Sequence, residues 1–354
     1  MGLFCCRADI SLGALRKEGG KNMENLVNSS PLILVIVFLV IGFGFLMKGA
    51  DFFVEGSSSI AKRLKVPPII IGLTIVAMGT SLPETAVSVT ASLVNNNELA
   101  ISNVVGSNIF NLMMVVGVCS ILTPILVQKE TVTRDIPFSV ACALALVGLG
   151  ILAVGDRSGM TLGHLDGIIF LVLFAGYILV MIRSAMKARA EGKDIEIEGV
   201  EEEIGILSWP KSIIFIVGGA AAIAFGGDLT VDAASRIAID LGMSQTLVGL
   251  TIVSIGTSLP ELVTSVVAAR KNEVDMAVGN AVGSNIFNIL MVLGIASAIN
   301  PVALIRENII DIAILIAFSL IVWIYAATKR RISRKEGISM VCMYLIYAGY
   351  IILR

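Results

Sequence analysis

Charged side chains are what this sequence has least of for its length. Asp, Glu, Lys and Arg make up 15% of its 354 residues, whereas soluble globular domains average about 25%. The formal net charge is −1, which argues against a nucleic-acid partner. The single histidine, His164, excludes a histidine-rich metal site, and the five cysteines form no metal-binding or disulfide pattern.

Hydrophobic residues replace the missing charge. They account for 56% of the chain, and the mean hydropathy is +0.92. Many apolar runs approach the roughly 20 residues that a helix needs to cross a bilayer. The sequence therefore predicts an all-α integral membrane protein. We expect ten transmembrane helices, at residues 31–61, 67–94, 98–122, 134–154, 162–184, 211–240, 244–270, 275–298, 308–328 and 337–353.

A long segment occurs twice in the chain. Residues 72–117 and 249–294 align without a gap at an offset of 177, and 27 of the 46 positions are identical. The same offset pairs Asp51 with Asp228, so the duplication extends beyond the segment itself. We therefore predict two five-helix repeats, 31–186 and 211–354, which contain the repeated motifs within 67–122 and 244–298 respectively.

Positive charge is unevenly distributed among the predicted loops. Seventeen Lys and Arg residues follow odd-numbered helices, whereas only Arg157, Arg306 and Arg354 follow even-numbered helices or end the chain. By the positive-inside rule the first group faces the cytoplasm, and both termini then lie outside the cell membrane. Because each repeat has an odd number of helices, the second repeat enters the membrane from the opposite side, as an inverted-topology repeat.

Two segments fall outside the predicted repeats. Residues 1–30 form an N-terminal extension, within which Met23 is a candidate start of translation; lipidation at Cys5 and Cys6 is the alternative interpretation. Residues 187–210 form an acidic linker between the repeats, which we interpret as a solvated cytoplasmic segment. A regulatory calcium site is the alternative for this linker, although it has no EF-hand spacing.

Each copy of the motif carries one glutamate inside an apolar stretch, Glu84 in the first and Glu261 in the second. A carboxylate at membrane depth is energetically costly, so its presence indicates a functional site. Two such carboxylates at matched positions of two repeats point to an ion site between the halves of a transporter.

Proline interrupts the same helix in both copies. Pro83 has no amide hydrogen, and its ring crowds the carbonyl of Gly79. Pro260 repeats this arrangement in the second copy. We predict a broken helix at each place, which is tolerated in a membrane only where the backbone faces a cavity or a ligand. Carbonyls near Ala77 and Ser254 would then be free to accept.

The polar residues around the glutamates all offer oxygen. Thr80 and Ser81 lie one turn before Glu84 on the same helix face, and the second copy repeats this spacing. Oxygen without sulfur or imidazole selects hard cations, and this mixture suits Ca²⁺ better than Mg²⁺. Close packing between helices is the alternative interpretation of the small residues. The polar set comprises Thr80, Ser81, Ser107, Asn111, Thr257, Ser258, Ser284 and Asn288.

The sequence GTSLPE followed by GSNIFN, present in both copies, resembles the repeats of the cation/calcium exchanger superfamily. The chain is most similar to prokaryotic Na⁺/Ca²⁺ exchangers, and the resemblance covers all ten predicted helices. It implies one Ca²⁺ site flanked by Na⁺ sites where the motif helices cross at mid-membrane. The ligands it implies are Glu84, Glu261, Thr80, Ser81, Thr257, Ser258, Ser107, Ser284, Asn111 and Asn288, with backbone carbonyls of Ala77 and Ser254 for Na⁺.

Two buried glutamates also favour exchange on chemical grounds alone. An empty site would carry two negative charges through a medium of low dielectric constant, so only a site loaded with one Ca²⁺ or several Na⁺ can change sides. The sequence thus predicts a Na⁺/Ca²⁺ antiporter that extrudes Ca²⁺, with Ca²⁺, Na⁺ and the lipid bilayer as its partners. It predicts no cofactor, no obligatory protein partner and no enzymatic activity.

Two other functions stay open from the sequence. Burial favours the protonated form of a carboxyl group, so protons could replace Na⁺ and the protein would be an H⁺/Ca²⁺ antiporter. A passive cation channel is a more distant alternative, which would conduct without a counter-ion.

Overall fold

A computed structural model describes residues 25–94, 97–151, 160–190, 206–243, 252 and 254–353 of the chain. This part of the protein is almost entirely helical. The predicted N-terminal extension up to residue 24, most of the acidic linker and the beginning of the predicted seventh helix lie outside the described residues. In the first half the helices are α1 (Leu32–Leu64), α2 (Pro68–Thr80), α3 (Leu82–Leu93), α4 (Leu99–Leu122), α5 (Thr131–Gly150) and α6 (His164–Ala190).

The second half repeats this order. Its helices are α7 (Trp209–Asp240), the short α8 (Ser254–Gly256), α9 (Leu259–Arg270), α10 (Val274–Ile299), α11 (Arg306–Lys329) and α12 (Arg334–Leu353). Among the described residues, eight helices are long and apolar enough to cross a membrane, and the bent pair α2–α3 makes a ninth. The chain is therefore a multi-pass membrane protein. The predicted helix 244–270 is represented only by α8 and α9.

The motif helices are bent where the sequence predicts. The axes of α2 and α3 differ by 48°. Ser81 between them departs from α-helical geometry, with φ −83° and ψ 10°. In the second copy Ser258 takes nearly the same conformation before α9, with φ −94° and ψ 3°. A proline occupies the first turn of each following helix, where its missing amide hydrogen leaves no bond unmade.

Helices α4 and α10 form the centre of the molecule. In each of them 78% of the most apolar 18-residue window is buried, against 22% to 39% in the other six long helices. Small residues let the chains approach closely here: a Cβ added to Gly72 would lie 2.6 Å from the carbonyl oxygen of Met276, and one added to Gly283 would lie 2.8 Å from the Cα of Leu73. Both central helices contain a π-helical turn, Asn111–Val115 and Asn288–Val292, at matching positions.

Helices α1 and α7 pack against each other through a glycine seam, formed by Gly42, Gly49 and Gly56 of α1 with Gly219 and Gly226 of α7. A Cβ added to Gly49 would lie 3.0 Å from the carbonyl oxygen of Gly219, and one added to Gly226 would lie 2.7 Å from that of Gly42. The backbones therefore touch at intervals of seven residues, or about two helical turns. Residue numbers increase along α1 while those of the contacting residues on α7 decrease, so the two helices are antiparallel.

Two short antiparallel ribbons join the halves. Strand β1 (Ile125–Leu126) follows α4 and pairs with β4 (Arg331–Ile332), which lies between α11 and α12. Strand β2 (Thr161–Leu162) precedes α6 and pairs with β3 (Val302–Ala303), which follows α10. The ribbons lie at opposite ends of α5 and α11, because each of those helices has one strand before it and one after it.

Some predicted boundaries were wrong. Helix α6 continues to Ala190, so the first residues assigned to the linker 187–210 are helical, and α7 begins at Trp209 before that linker was expected to end. Lys187 and Arg189 in the last turn of α6 interact favourably with the negative end of the helix dipole, which supports the extra turn. Hydropathy alone could not place this end, because the added turn is polar.

Candidate functional site

The two glutamates are fully buried at the start of the helices that follow the bends. Glu84 lies in the first turn of α3 and Glu261 in the first turn of α9, and neither side chain is exposed. The amino end of a helix carries a partial positive charge, which favours a carboxylate at this position. The residue before α3, Ser81, contacts Glu261, and the residue before α9, Ser258, contacts Glu84, so the two carboxylates face one common site.

Serine hydroxyls connect each glutamate to the other copy of the motif. Ser81 donates to Oε1 of Glu261 at 3.0 Å, and Ser258 donates to Oε1 of Glu84 at 3.3 Å. The sequence predicts that Ser81 shares a helix face with Glu84, and the structure adds that its hydroxyl bonds the glutamate of the other copy.

The central helices supply the remaining polar groups. Ser284 on α10 donates to Oε1 of Glu261 at 3.4 Å. Ser107 on α4 lies near Glu84 without meeting hydrogen-bond geometry. Asn111 and Asn288 are completely buried and begin the two π-helical turns. Such turns often occur at functional sites, because the extra residue redirects side chains.

Several buried oxygen atoms around the glutamates have no hydrogen-bond partner within the described part of the chain. A buried polar atom without a partner costs about 1–3 kcal/mol, so a cluster of them calls for a ligand that supplies positive charge. These atoms are Oε2 of Glu84, Oε2 of Glu261, Oδ1 of Asn111 and Oδ1 of Asn288.

In the described part of the chain, no basic side chain neutralises this cluster. Among the described residues neither Glu84 nor Glu261 takes part in an ion pair. The same residues contain no group of three or more His, Cys, Asp and Glu side chains that could form a metal centre. The arrangement therefore combines two carboxylates with neutral oxygens, which can bind hard cations reversibly and offers little to a transition metal.

Other predicted site residues occupy different environments. The Thr80 hydroxyl is buried near Glu261 and donates to Oδ1 of Asn280 at 3.0 Å. Thr257 is only partly buried, and its hydroxyl faces Oδ1 of Asn103 at 3.4 Å. The carbonyl of Ala77 already accepts the amide of Ser81 at 3.0 Å, so it is not freed by the bend as expected. The side chain of Ser254 lies outside the described residues.

Sequence reasoning missed four polar residues beside the site. Asn103 contacts Ser88, and Asn280 contacts Ser265, directly behind the two glutamates. All four are identical between the two copies of the motif at the offset of 177. That identity was the available signal, and it was overlooked because these residues lie outside the GTSLPE and GSNIFN runs.

Comparison with known proteins assigns the chain to a family. The sequence profile of the sodium/calcium exchanger protein family matches residues 34–183 and 211–353. CaxA from Alkalimonas amylolytica, named as a candidate antiporter, is 37% identical over 321 residues, which are 89% of this chain and 98% of CaxA. The sodium/calcium exchanger MaX1 from Methanosarcina acetivorans is 32% identical over 339 residues, or 88% of this chain and 96% of MaX1.

A solved structure agrees with this assignment. The structure of the sodium-calcium exchanger NCX_Mj superimposes on the chain with a TM-score of 0.75 and 31% sequence identity, and the match covers 90% of this chain and 99% of NCX_Mj. The profile, the relatives and the superposition all extend over both halves of the molecule. The chain therefore belongs to the sodium/calcium exchanger family of membrane proteins.

Proposed function

We propose that this protein is a secondary antiporter that exchanges Na⁺ for Ca²⁺ across the cell membrane and extrudes Ca²⁺. The observation that carries the proposal is the pair of fully buried glutamates with unpartnered carboxylate oxygens and no basic neighbour. One Ca²⁺ or two or more Na⁺ would neutralise the pair. The names of MaX1 and NCX_Mj, both sodium/calcium exchangers, support the same pair of ions.

Side-chain oxygens would hold the ions. We assign Glu84, Glu261, Asn111 and Asn288 as the main ligands, because each has an unpartnered buried oxygen. Serine and threonine hydroxyls complete the set. They are Ser81, Ser258, Ser107, Ser284, Thr80 and Thr257. For Na⁺ we propose the carbonyl of Ser254 and that of Ala77, whose oxygen keeps one lone pair beside its bond to the Ser81 amide.

The charge of the empty site makes the exchange obligatory. Closing two uncompensated carboxylates off from water, as a change of access between membrane faces requires, costs several kcal/mol in desolvation, so the unloaded protein does not change sides. A loaded site is close to neutral and can do so. Transport of one ion then requires the return of the other.

Ten membrane crossings, arranged as two inverted repeats, fit the connections between the strands. Paired strands must lie on the same membrane face, so an even number of crossings separates β1 from β4. Five long helices lie between them, namely α5, α6, α7, α10 and α11. The segment that contains α8 and α9 would be the sixth crossing. The antiparallel packing of the equivalent helices α1 and α7 further supports the inversion.

Helices α1 and α7 are the proposed moving part. Their mutual contact is a glycine seam between backbones, so they can travel together as one unit past the polar centre. The motif helices α2, α3, α9, α4 and α10 stay in place around the ions. The distribution of positive charge supports an orientation with both termini outside and the 187–210 linker in the cytoplasm.

Radiolabelled Ca²⁺ uptake into Na⁺-loaded proteoliposomes tests the function, with external Na⁺ replaced by choline and pH clamped. We expect uptake that requires internal Na⁺. Uptake that ignores Na⁺ but follows an imposed proton gradient would contradict Na⁺ coupling and identify an H⁺/Ca²⁺ antiporter. Flux that needs neither ion would indicate a channel.

The same vesicles report on net charge movement. If three Na⁺ exchange for one Ca²⁺, one elementary charge crosses per cycle, and each 100 mV changes the driving force by about 2.3 kcal/mol. An imposed potential, positive inside Na⁺-loaded vesicles, should then accelerate Ca²⁺ uptake, because one net positive charge leaves the vesicle per cycle, and the reversed potential should slow it. An uptake rate that is independent of potential would contradict electrogenic exchange.

A further inference from the structure

Two asparagines behind the site connect the copies of the motif to each other. Asn280 on α10 donates through Nδ2 to the backbone carbonyl of Glu261 at 3.3 Å and to the hydroxyl of Ser265 at 2.9 Å. Its Oδ1 accepts from the hydroxyl of Thr80 at 3.0 Å. One fully buried side chain thus contacts the glutamate helix of its own half and the threonine of the other half.

Asn103 on α4 makes the same three contacts in the other direction. Its Nδ2 donates to the carbonyl of Glu84 at 3.4 Å and to Ser88 at 3.0 Å, and its Oδ1 accepts from Thr257 at 3.4 Å. All three distances are longer than their counterparts at Asn280, and Asn103 is only partly buried. The clamp around Asn280 is therefore the tighter of the two.

Hydrogen-bond chemistry fixes the orientation of the Asn280 amide. The carbonyl oxygen of Glu261 can only accept, so it requires the NH₂ end of the side chain. The opposite orientation would set two acceptors against each other at this carbonyl. The Oδ1 atom is left for the Thr80 hydroxyl, which donates to it.

This contact controls what Thr80 can offer to a cation. A hydroxyl has one proton, and Thr80 also lies 3.2 Å from the carbonyl of Val76 and 3.4 Å from that of Ala77 on its own helix. A threonine in a helix commonly bonds back to such carbonyls. By taking the proton at a point across the interface, Asn280 fixes the direction of the O–H bond and therefore the direction in which the hydroxyl lone pairs point.

We propose that Asn280, and to a smaller extent Asn103, are positioning residues that fix the glutamate of one motif and the threonine of the other in a single geometry for cation binding. Neither asparagine is itself a ligand. The inference rests on the proposed function, because the geometry that it explains is that of the assigned cation site. It predicts that the ligands supplied by each half bind the cation well only when the asparagine of the opposite half holds them in position.

Ca²⁺ affinity of the purified full-length protein is the direct test, measured as the Ca²⁺ concentration that gives half of the maximal thermal stabilisation in detergent. This measurement needs no coupling ion. If the wild type binds Ca²⁺ but shows no Na⁺-dependent uptake, the proposed function fails while the positioning role is still tested. We expect Asn280→Ala to weaken Ca²⁺ affinity about ten-fold, as expected for the loss of one or two buried hydrogen bonds, and Asn103→Ala to weaken it about two-fold to three-fold.

Asn308→Ala is the matched control. Asn308 is equally buried and bonds the hydroxyl of Ser102 and the amide of Ile305, but it lies outside both motifs. We expect it to lower the melting temperature of the ion-free protein without changing Ca²⁺ affinity. Equal losses of affinity in Asn280→Ala and Asn308→Ala would overturn the positioning role.

A double-mutant cycle with Thr80 separates positioning from general packing. In a Thr80→Val background, Asn280→Ala should weaken affinity clearly less than in the wild type, because the shared hydrogen bond is already lost. Fully additive effects would overturn the proposal. If Asn280→Ala does not fold, Thr80→Val should weaken affinity and Thr80→Ser should restore it, and equal affinities in those two variants would also overturn it.

Discussion

At the scale of single residues, the proposed exchange depends on two negative charges that no basic side chain among the described residues balances. Replacing Glu84 or Glu261 by glutamine should reduce Ca²⁺ transport to background, since one carboxylate cannot neutralise a divalent ion. The fold should persist, because the substitution removes a buried charge and keeps the side-chain shape. Uptake and thermal unfolding of each variant check both parts. Glu307→Gln is the control, as Glu307 is an exposed carboxylate in the first turn of α11.

The two glutamates should not be equally sensitive to their serines. Glu261 accepts hydrogen bonds from Ser81 at 3.0 Å and from Ser284, whereas Glu84 accepts one from Ser258 at 3.3 Å. We therefore expect Ser81→Ala to raise the half-saturating Ca²⁺ concentration several-fold more than Ser258→Ala, in keeping with a charge-assisted bond of about 1.5–3 kcal/mol. Uptake measured over a Ca²⁺ titration gives both values. The reverse order would contradict the asymmetry.

Residue identity could be predicted further than residue pairing. The duplicated motif was enough to single out Glu84 and Glu261 and the polar residues around them. It could not reveal that Ser81 reaches Glu261, because a contact between copies depends on how two bent helices cross. The roles of Asn103 and Asn280 escaped for the same reason: each contacts one motif through its backbone and the other through a hydroxyl.

At the scale of helices, the glycine seam between α1 and α7 offers a sharp test. Gly49→Ala should impair folding or transport, since its Cβ would meet the backbone nitrogen of Ile223 at 2.9 Å, and overpacking of this kind costs about 1–3 kcal/mol. Gly44→Ala should behave as wild type, because nothing lies within 4 Å of a Cβ there. Expression, melting temperature and Ca²⁺ uptake of the two variants give the comparison. Equal behaviour would show that the helices do not need this close contact.

Hydropathy predicted the long helices well and the irregular elements poorly. The bend at Pro83 was predictable because proline removes a specific bond. The π-helical turns at Asn111 and Asn288 were not, since one extra residue per turn leaves almost no trace in an apolar sequence. The ribbons also escaped prediction, because strands of two residues pair across segments about 200 and 140 positions apart in the chain.

At the scale of the whole molecule, the strand pairing makes a prediction about sidedness. In a cysteine-free background, single cysteines at Leu126 and Arg331 should react only with membrane-permeant reagents in intact cells. A cysteine at Ala303, which belongs to strand β3 of the other ribbon, should react with impermeant reagents. Labelling of Leu126 and Arg331 from opposite sides would contradict ten crossings. The ribbons provide an internal control, because the two paired strands of one ribbon must be labelled from the same side of the membrane.

The two ribbons also restrict how the transporter can open. Each ties the first half to the second, and they do so at opposite ends of α5 and α11. If the two halves rotated apart about a central axis, the backbone hydrogen bonds of one ribbon would have to break in every cycle. The two halves therefore form a closed frame, because one ribbon joins them at each end of α5 and α11. In the proposed mechanism, access would alternate inside that frame by displacement of α1 and α7, the two long helices that neither ribbon borders.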